Sequence, residues 1–151
     1  MIISRLSLDL VINEIVRSKL SEDALDHIGE DIGLRFTERI IREKVRFESQ
    51  LDVLKYLCKD MWNEFFSKTV DKLRTNNNGI YVIHDDDCRF FRHLSHKDEK
   101  LVSDLSNKLA CIMKGIVRGS LKSLGINALV KVEIVDLPQC IINVDCTQTP
   151  L

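Results

Sequence analysis

The chain has 151 residues, 44% of them apolar, 30% charged and only 6% aromatic, with 22 Lys+Arg against 23 Asp+Glu and a net charge of −1. That length fits one domain over 1–151, large enough to bury roughly 68–70% of its unfolded surface without a disulfide or metal staple. Balanced charge argues against nucleic acid as a main partner and against a charged disordered tail. No run of apolar residues is long enough for a membrane span, and the start Met1-Ile2-Ile3-Ser4-Arg5 lacks the layout of a signal peptide. The five cysteines, Cys58, Cys88, Cys111, Cys140 and Cys146, are odd in number and irregularly spaced, which suggests reduced thiols in the cytosol.

Residues 5–19 read as a helix. Leu8, Val11, Ile12, Ile15 and Val16 recur at helical spacing, and Leu6 and Leu10 widen the stripe beyond what one core contact requires. Ser21 is placed to cap a second helix, with Glu22 and Asp23 at the positive end of its dipole. This helix is expected to run to about Arg42, with Ile28, Ile32, Phe36 and Ile40 along one face. Gly29 and Gly33 cost about 1 kcal/mol each in mid-helix, which makes sense where another backbone comes close. Ser49 to Asp52 resembles a capping box, so a third helix is expected over 51–68, about 27 Å long. Its apolar face is Leu54, Leu57, Cys58, Met61, Trp62 and Phe65.

A β region follows. Asn77-Asn78-Gly79 signals a turn and Ile80–His84 a strand. The spacing predicts a turn at Asp85–Asp87 and a returning strand at Cys88–Phe91, while 70–75 fits either a strand or more helix. Ser95–Asp98 repeats the capping pattern before a long helix to about Leu124, stopped by Gly125. The alternation Ala128, Val130, Val132, Ile134 and then Cys140, Ile142, Val144, Cys146, about Leu137-Pro138-Gln139, predicts an antiparallel hairpin. The order helix-helix-helix, hairpin, long helix, hairpin keeps helices and hairpins in segregated runs, which argues for an α+β fold.

No patterned catalytic or metal motif occurs. His84, Asp85–Asp87, Cys88, His93 and His96 are rich in ligand-type side chains, but no ligand spacing links them. The plain reading is that the aspartates solvate a turn. Gly115 and Gly119 fall inside a helical pattern with no strand before them, so they fit close helix packing rather than a phosphate loop. Arg46, Arg74, Arg89, Arg92, Lys114, Arg118 and Lys122 read as solvated surface, with contact to an acidic partner or anionic headgroups as the alternative.

The block from Leu51-Asp52-Val53-Leu54-Lys55-Tyr56-Leu57-Cys58-Lys59-Asp60-Met61-Trp62 through Asp71–Asn76 to Gly79-Ile80-Tyr81-Val82 resembles the small-subunit family of the TRAPP vesicle-tethering complex, in its subunit 6 branch. Ile28–Gly33 with Glu38-Arg39, Gly115–Leu121 with Leu124–Ile126, and Leu137–Cys140 agree with it, so the resemblance spans about 6–146. It implies an α/β-plait-like domain, α+β in class, with four helices packed on an antiparallel sheet, no catalytic residue and no cofactor or metal. It further implies pairing through the first two helices with a subunit 3 family member, contact with other TRAPP subunits, and a homodimer in isolation. The assembly is implied to tether vesicles in ER–Golgi traffic and to promote nucleotide exchange on a Rab-type GTPase, in the cytoplasm and peripheral to cis-Golgi and ER membranes. Leu8, Val11, Ile12, Ile15, Gly29, Ile32, Gly33 and Phe36 are the expected partner surface. The segment at 18–23 is shorter than usual in the family. Subunit 3 relatives carry an acylated cysteine before the third helix, and Val45–Phe47 has none, which argues against a lipid thioester here. The competing reading is a small-molecule or acyl-chain sensor of the same fold, supported if Cys58 or Cys111 reaches an apolar cavity.

Overall fold

The structure, a computed structural model, describes residues 10, 12, 14–15, 17–41, 46–92 and 98–147. Leu10, Ile12, Glu14, Ile15 and Arg17 are helical. The Ser18 N–H, donating to the Glu14 carbonyl at 3.2 Å, closes that segment. Helix α1 is Glu22–Ile40, capped as expected: the Ser21 hydroxyl accepts from the Ala24 N–H at 3.2 Å. Ser49 likewise caps α2, Gln50–Tyr56, which runs without a break through a π-helical turn, Leu57–Met61, into α3, Trp62–Phe66. The chain then leaves the helix through Ser67 in the left-handed conformation. Three helical runs are therefore complete among the described residues, at 22–40, 50–66 and 99–123. Of the fourth expected one, only part is described.

The sheet is four-stranded and antiparallel, in the order β1-β2-β4-β3, with β1 Lys72–Thr75, β2 Ile80–Asp85, β3 Leu129–Asp136 and β4 Gln139–Asp145. Segment 70–75 is thus mostly strand. It pairs with β2 across the Asn77-Asn78-Gly79 turn, where Asn77 and Gly79 take positive φ. The expected returning strand at Cys88–Phe91 is instead a 3-10 turn, Arg89–Phe91. Phe90 and Phe91 are both buried, and successive strand residues point to opposite faces, so a strand could not bury both in one core. The other side of β2 is occupied by β4, His84 opposite Ile141.

Helix α4, Glu99–Ser123, starts one pattern later than expected. Asp98 is its cap, accepting from the N–H groups of Lys100 at 3.0 Å and Leu101 at 3.4 Å, and Ser95 lies outside the described residues. Gly125, at φ +90°, ends it. The hairpin β3–β4 turns at Leu137-Pro138 with the predicted inner face. Ile142 and Val144 are fully buried beneath α4 residues Ile112, Met113 and Ile116.

Two helices carry complementary stripes of small residues. Along α1 the buried line is Leu25, Gly29, Gly33 and Thr37. Along α4 it includes Gly115, Gly119 and Ser120. A Cβ on Gly29 would collide with the Ile112 carbonyl, and one on Gly33 with the Ile116 carbonyl. Reciprocally, one on Gly115 would meet the Asp26 carbonyl, and one on Gly119 the Glu30 carbonyl. Both sets advance together, so α1 and α4 run parallel in direct backbone contact. The close backbone that the α1 glycines demanded belongs to this same chain.

A second internal lock is polar. Asp85, expected to solvate a turn, has no exposed surface. Its carboxylate accepts from Trp62 Nε1 at 2.9 Å and Lys68 Nζ at 2.7 Å. Lys68 also pairs with Asp71 at 2.9 Å, and Asp71 accepts from the Asp86 N–H at 2.7 Å. The network ties α3 to the end of β2. Burial works to lower the Lys68 pKa, but the hydrogen bonds to Asp85 and Asp71 outweigh it and hold the ammonium at about 12.

Candidate partner interface

The first two helical segments were expected to offer an apolar surface, and their residues divide. Leu8 and Val11 lie outside the described residues. Ile12 is buried at 2% exposure, inside the protomer's own core. Gly29 and Gly33 face α4 rather than outward, so these glycines and Ile12 are already used internally. Ile15, Ile32 and Phe36 are half-buried: each packs one side against the core and leaves part of itself uncovered. Phe36 is held by Phe65 of α3, ring centroids 4.5 Å apart, and Phe65 continues to Phe66, Trp62 and Phe90. That aromatic chain fixes the flank of α1 rigidly on the body of the molecule.

Two neighbours extend this flank in sequence. Leu10 is 58% exposed and Leu20 is 40% exposed. Periodicity placed Leu10 in a wide stripe. Two residues apart on a helix, Leu10 and Ile12 point about 200° from one another, so the burial of Ile12 leaves Leu10 toward solvent. Scattered exposed leucines are ordinary. These stand out because half-buried Ile15 lies between them in the sequence.

The opposite flank of α1 is electrostatic and internal. Arg118 of α4 donates to Asp26 at 2.9 Å and to Glu30 at 2.6 Å, and Lys122 reaches Glu30 at 3.3 Å. Lys114 sits 3.7 Å from Asp26. These cations are therefore committed to α1, which corrects their reading as a merely solvated surface. The Arg118 hydrogen bond lowers the Glu30 carboxyl below its ordinary value, against partial desolvation and with help from Lys122. A depressed acid stabilises the fold above its unfolded pKa, and the gain fades as pH falls through the folded value. Arg118→Met is expected to cost about 1–2 kcal/mol at neutral pH. Its stability curve should converge on that of the parent as pH falls below the ordinary carboxylate range. Urea melts at several pH values read this directly, and parallel curves down to low pH would count against the pair.

Among the described residues no group of His, Cys, Asp and Glu is arranged to hold a metal ion. Within the same set no helix is long and apolar enough to cross a membrane. Burial pushes the Cys58 thiol up to about 12, and Cys111, half-buried, is also raised. Cys111 borders a groove of about 360 Å³ whose other walls include Glu22, Lys114, Lys131 and Glu133. Four of the eight residues lining it are charged, which does not suit an acyl chain. A larger groove, about 620 Å³, lies between the start of α2 and the β1–β2 turn, where the Tyr81 hydroxyl meets Gln50 Oε1 at 3.2 Å.

Comparison with known proteins places this architecture. Residues 8–149 match the family model described as transport protein particle (TRAPP) component. The chain is 35% identical over 116 residues to trafficking protein particle complex subunit 6B of Homo sapiens, covering 77% of this chain and 72% of that one. It is 36% identical over 122 residues to subunit 6A of the same species, covering 81% and 76%. In three dimensions it is similar to trafficking protein particle complex subunit 3 from Naegleria fowleri, whose crystal structure is covalently bound to palmitic acid. The TM-score is 0.73 at 14% identity, over 97% of this chain and 95% of that one. That match extends the likeness to the fold as a whole, and the family model spans nearly all of the sequence: the chain belongs to the TRAPP component family.

Proposed function

We propose that this chain is a non-catalytic subunit of a TRAPP-type vesicle-tethering complex, working by pairing with another small subunit. It needs no cofactor and no nucleic acid. The favoured partner is a relative of subunit 3, with a second copy of the chain taking that place in isolation and other TRAPP subunits joining the assembly. The complex acts in ER–Golgi transport and promotes Rab nucleotide exchange, which places the chain in the cytoplasm, peripheral to those membranes. Identity to subunits 6A and 6B over three quarters of the chain supports membership of such a complex. For the pairing surface, the observations that support the reading are the exposure of Leu10, at 58%, and the half-burial of Ile15, Ile32 and Phe36 on the first two helical segments.

A stable pair buries about 1,600 Å² in total, about half of it from each partner. Leu10→Asp tests the surface with little risk to the fold, since most of the side chain is already in solvent. Light scattering should give the unmutated chain the mass of a dimer at micromolar concentration, and Leu10→Asp that of a monomer with an unchanged melting temperature. Co-expression with a subunit 3 relative should retain that partner with the parent and lose it with the variant. A monomeric parent would overturn the homotypic pair, and retention by Leu10→Asp would overturn the surface.

A further inference from the structure

The sheet ends on one side at β3, whose outer edge pairs with no described strand. At eight residues it is the longest strand of the sheet. Grooves of about 300 and 360 Å³ lie between it and α4, the first bordered by Leu129 and the second by Lys131, Val132 and Glu133. The edge thus offers a row of main-chain donors and acceptors that β4 does not use.

The order of residues along this edge is its own complement. Let a second β3 lie antiparallel to the first with the two-fold axis at Val132. Lys131 then faces the second copy's Glu133 and Glu133 its Lys131, while Val130 faces Ile134 on the helix side of the sheet. Leu129, exposed at 56%, lies at the end of the paired segment. Opposite charges directly across an antiparallel pair are favourable and like charges are not. The neighbouring registers that keep each face on its own side set Lys131 against Lys131, or Glu133 against Glu133. A slip by one residue turns the apolar set out of the core side. Only the Val132 register satisfies both constraints. Asn143 donates to Glu133 at 3.3 Å and holds that carboxylate over the sheet beside the edge. The irregularity between Ile134 and Asp136 bounds the ladder beyond Ile134.

We infer that the β3 edge is a second interaction surface whose occupant is another copy of this chain, joined antiparallel about Val132 into a continuous eight-stranded sheet. This surface lies on the sheet and is independent of the helical flank assigned to subunit pairing. The edge contact is the weaker of the two, so at micromolar concentration the helical pair stands alone, and above it copies extend in a row.

The test reads the register by cross-linking. Lys131→Cys and Glu133→Cys are made separately in a Cys111→Ser, Leu10→Asp background, which removes the neighbouring thiol of the groove and the helical pairing. Mixed, the two variants bring the new thiol of one copy opposite the new thiol of the other and leave one Lys131–Glu133 pair intact. Facing Cα atoms in such a ladder lie about 4.5–5.5 Å apart, inside disulfide range, whereas two copies of the same variant hold their thiols on a diagonal outside it. Mild oxidation should give roughly tenfold more disulfide dimer from the mixture than from either variant alone. Peptide mass mapping should find the link between the two substituted positions. Equal yields, or none from the mixture, would overturn the proposal. Charge reversal with no new thiol gives a second measurement, by sedimentation. In the Leu10→Asp background, at concentrations above the micromolar range in which that variant is a monomer, Glu133→Lys should remove the concentration-dependent rise in mass, and adding Lys131→Glu should restore it. No rise before reversal, or no restoration after it, counts against the edge without touching the helical surface.

Discussion

Gly33→Ala will destabilise the protein by about 2–3 kcal/mol, although alanine is the better helix former by about 1 kcal/mol. The sign follows from where the methyl group must go. On an exposed face of α1 the substitution would be a gain. Here the new Cβ lands on the Ile116 carbonyl, with the Ile116 Cα 3.0 Å away. A backbone atom cannot rotate aside as a side chain can. Relief requires α1 to move off α4, and that motion also opens the contacts at Gly29, Gly115 and Gly119 and stretches the Arg118 bridges to Asp26 and Glu30. The expected result is a lower urea midpoint with an unchanged slope, and Gly33→Val should fail to fold at all. A Gly33→Ala protein as stable as its parent would mean that the two helices stand further apart than described.

Asp85→Ala should cost about 3–5 kcal/mol, the range for removing one partner of a buried pair. The carboxylate has no exposed surface, and its loss strands the Trp62 indole N–H and leaves the Lys68 ammonium with Asp71 alone. Lys68→Met should be comparably harmful, because it leaves the buried charge of Asp85 with the indole but no counter-ion. The two losses are not independent. A Lys68→Met, Asp85→Leu double variant should lose clearly less than the sum, and a double-mutant cycle by denaturant melts measures the difference. The pH behaviour gives a further check. Lys68 is raised to about 12 from its ordinary 10.5, so its contribution is complete below pH 10.5 and lost as pH climbs through 12. The parent should weaken over that alkaline interval, and Asp85→Ala, already without the pair, should be less affected. Equal alkaline slopes in the two proteins would argue that the network contributes little.

Both effects sit in places where sequence reading reached part of the way. The spacing of Gly29 and Gly33 announced a close neighbour, and the helical pattern around Gly115 and Gly119 announced another. That the four glycines answer one another from distant parts of the chain is a tertiary fact, since nothing local states which backbone fills the gap. Asp85 was misplaced for a related reason. Three consecutive aspartates read as a solvated turn by composition, and two of them are exposed. The first is fixed inside by Trp62 and Lys68, which come from 17 to 23 residues earlier in the chain.

The elements were legible because their signals are local. Hydroxyl caps at Ser21 and Ser49, the turn at Asn77–Gly79, the stop at Gly125 and the two-residue alternation of β3 and β4 each depend on neighbours within a turn or two, and the chain adopts them where expected. Family resemblance was carried by blocks of the same kind, long enough to be distinctive. What only the tertiary structure decided is the use of each apolar face. Ile12 and Ile15 belong to one periodic stripe, yet one is buried and the other only half-buried. Periodicity reports that a face is apolar, and burial depends on what the rest of the chain lays over it. The same holds for β3, whose alternation was plain in sequence while its place at the sheet edge, and so its unused row of main-chain hydrogen bonds, came from the pairing order of strands far apart in the chain.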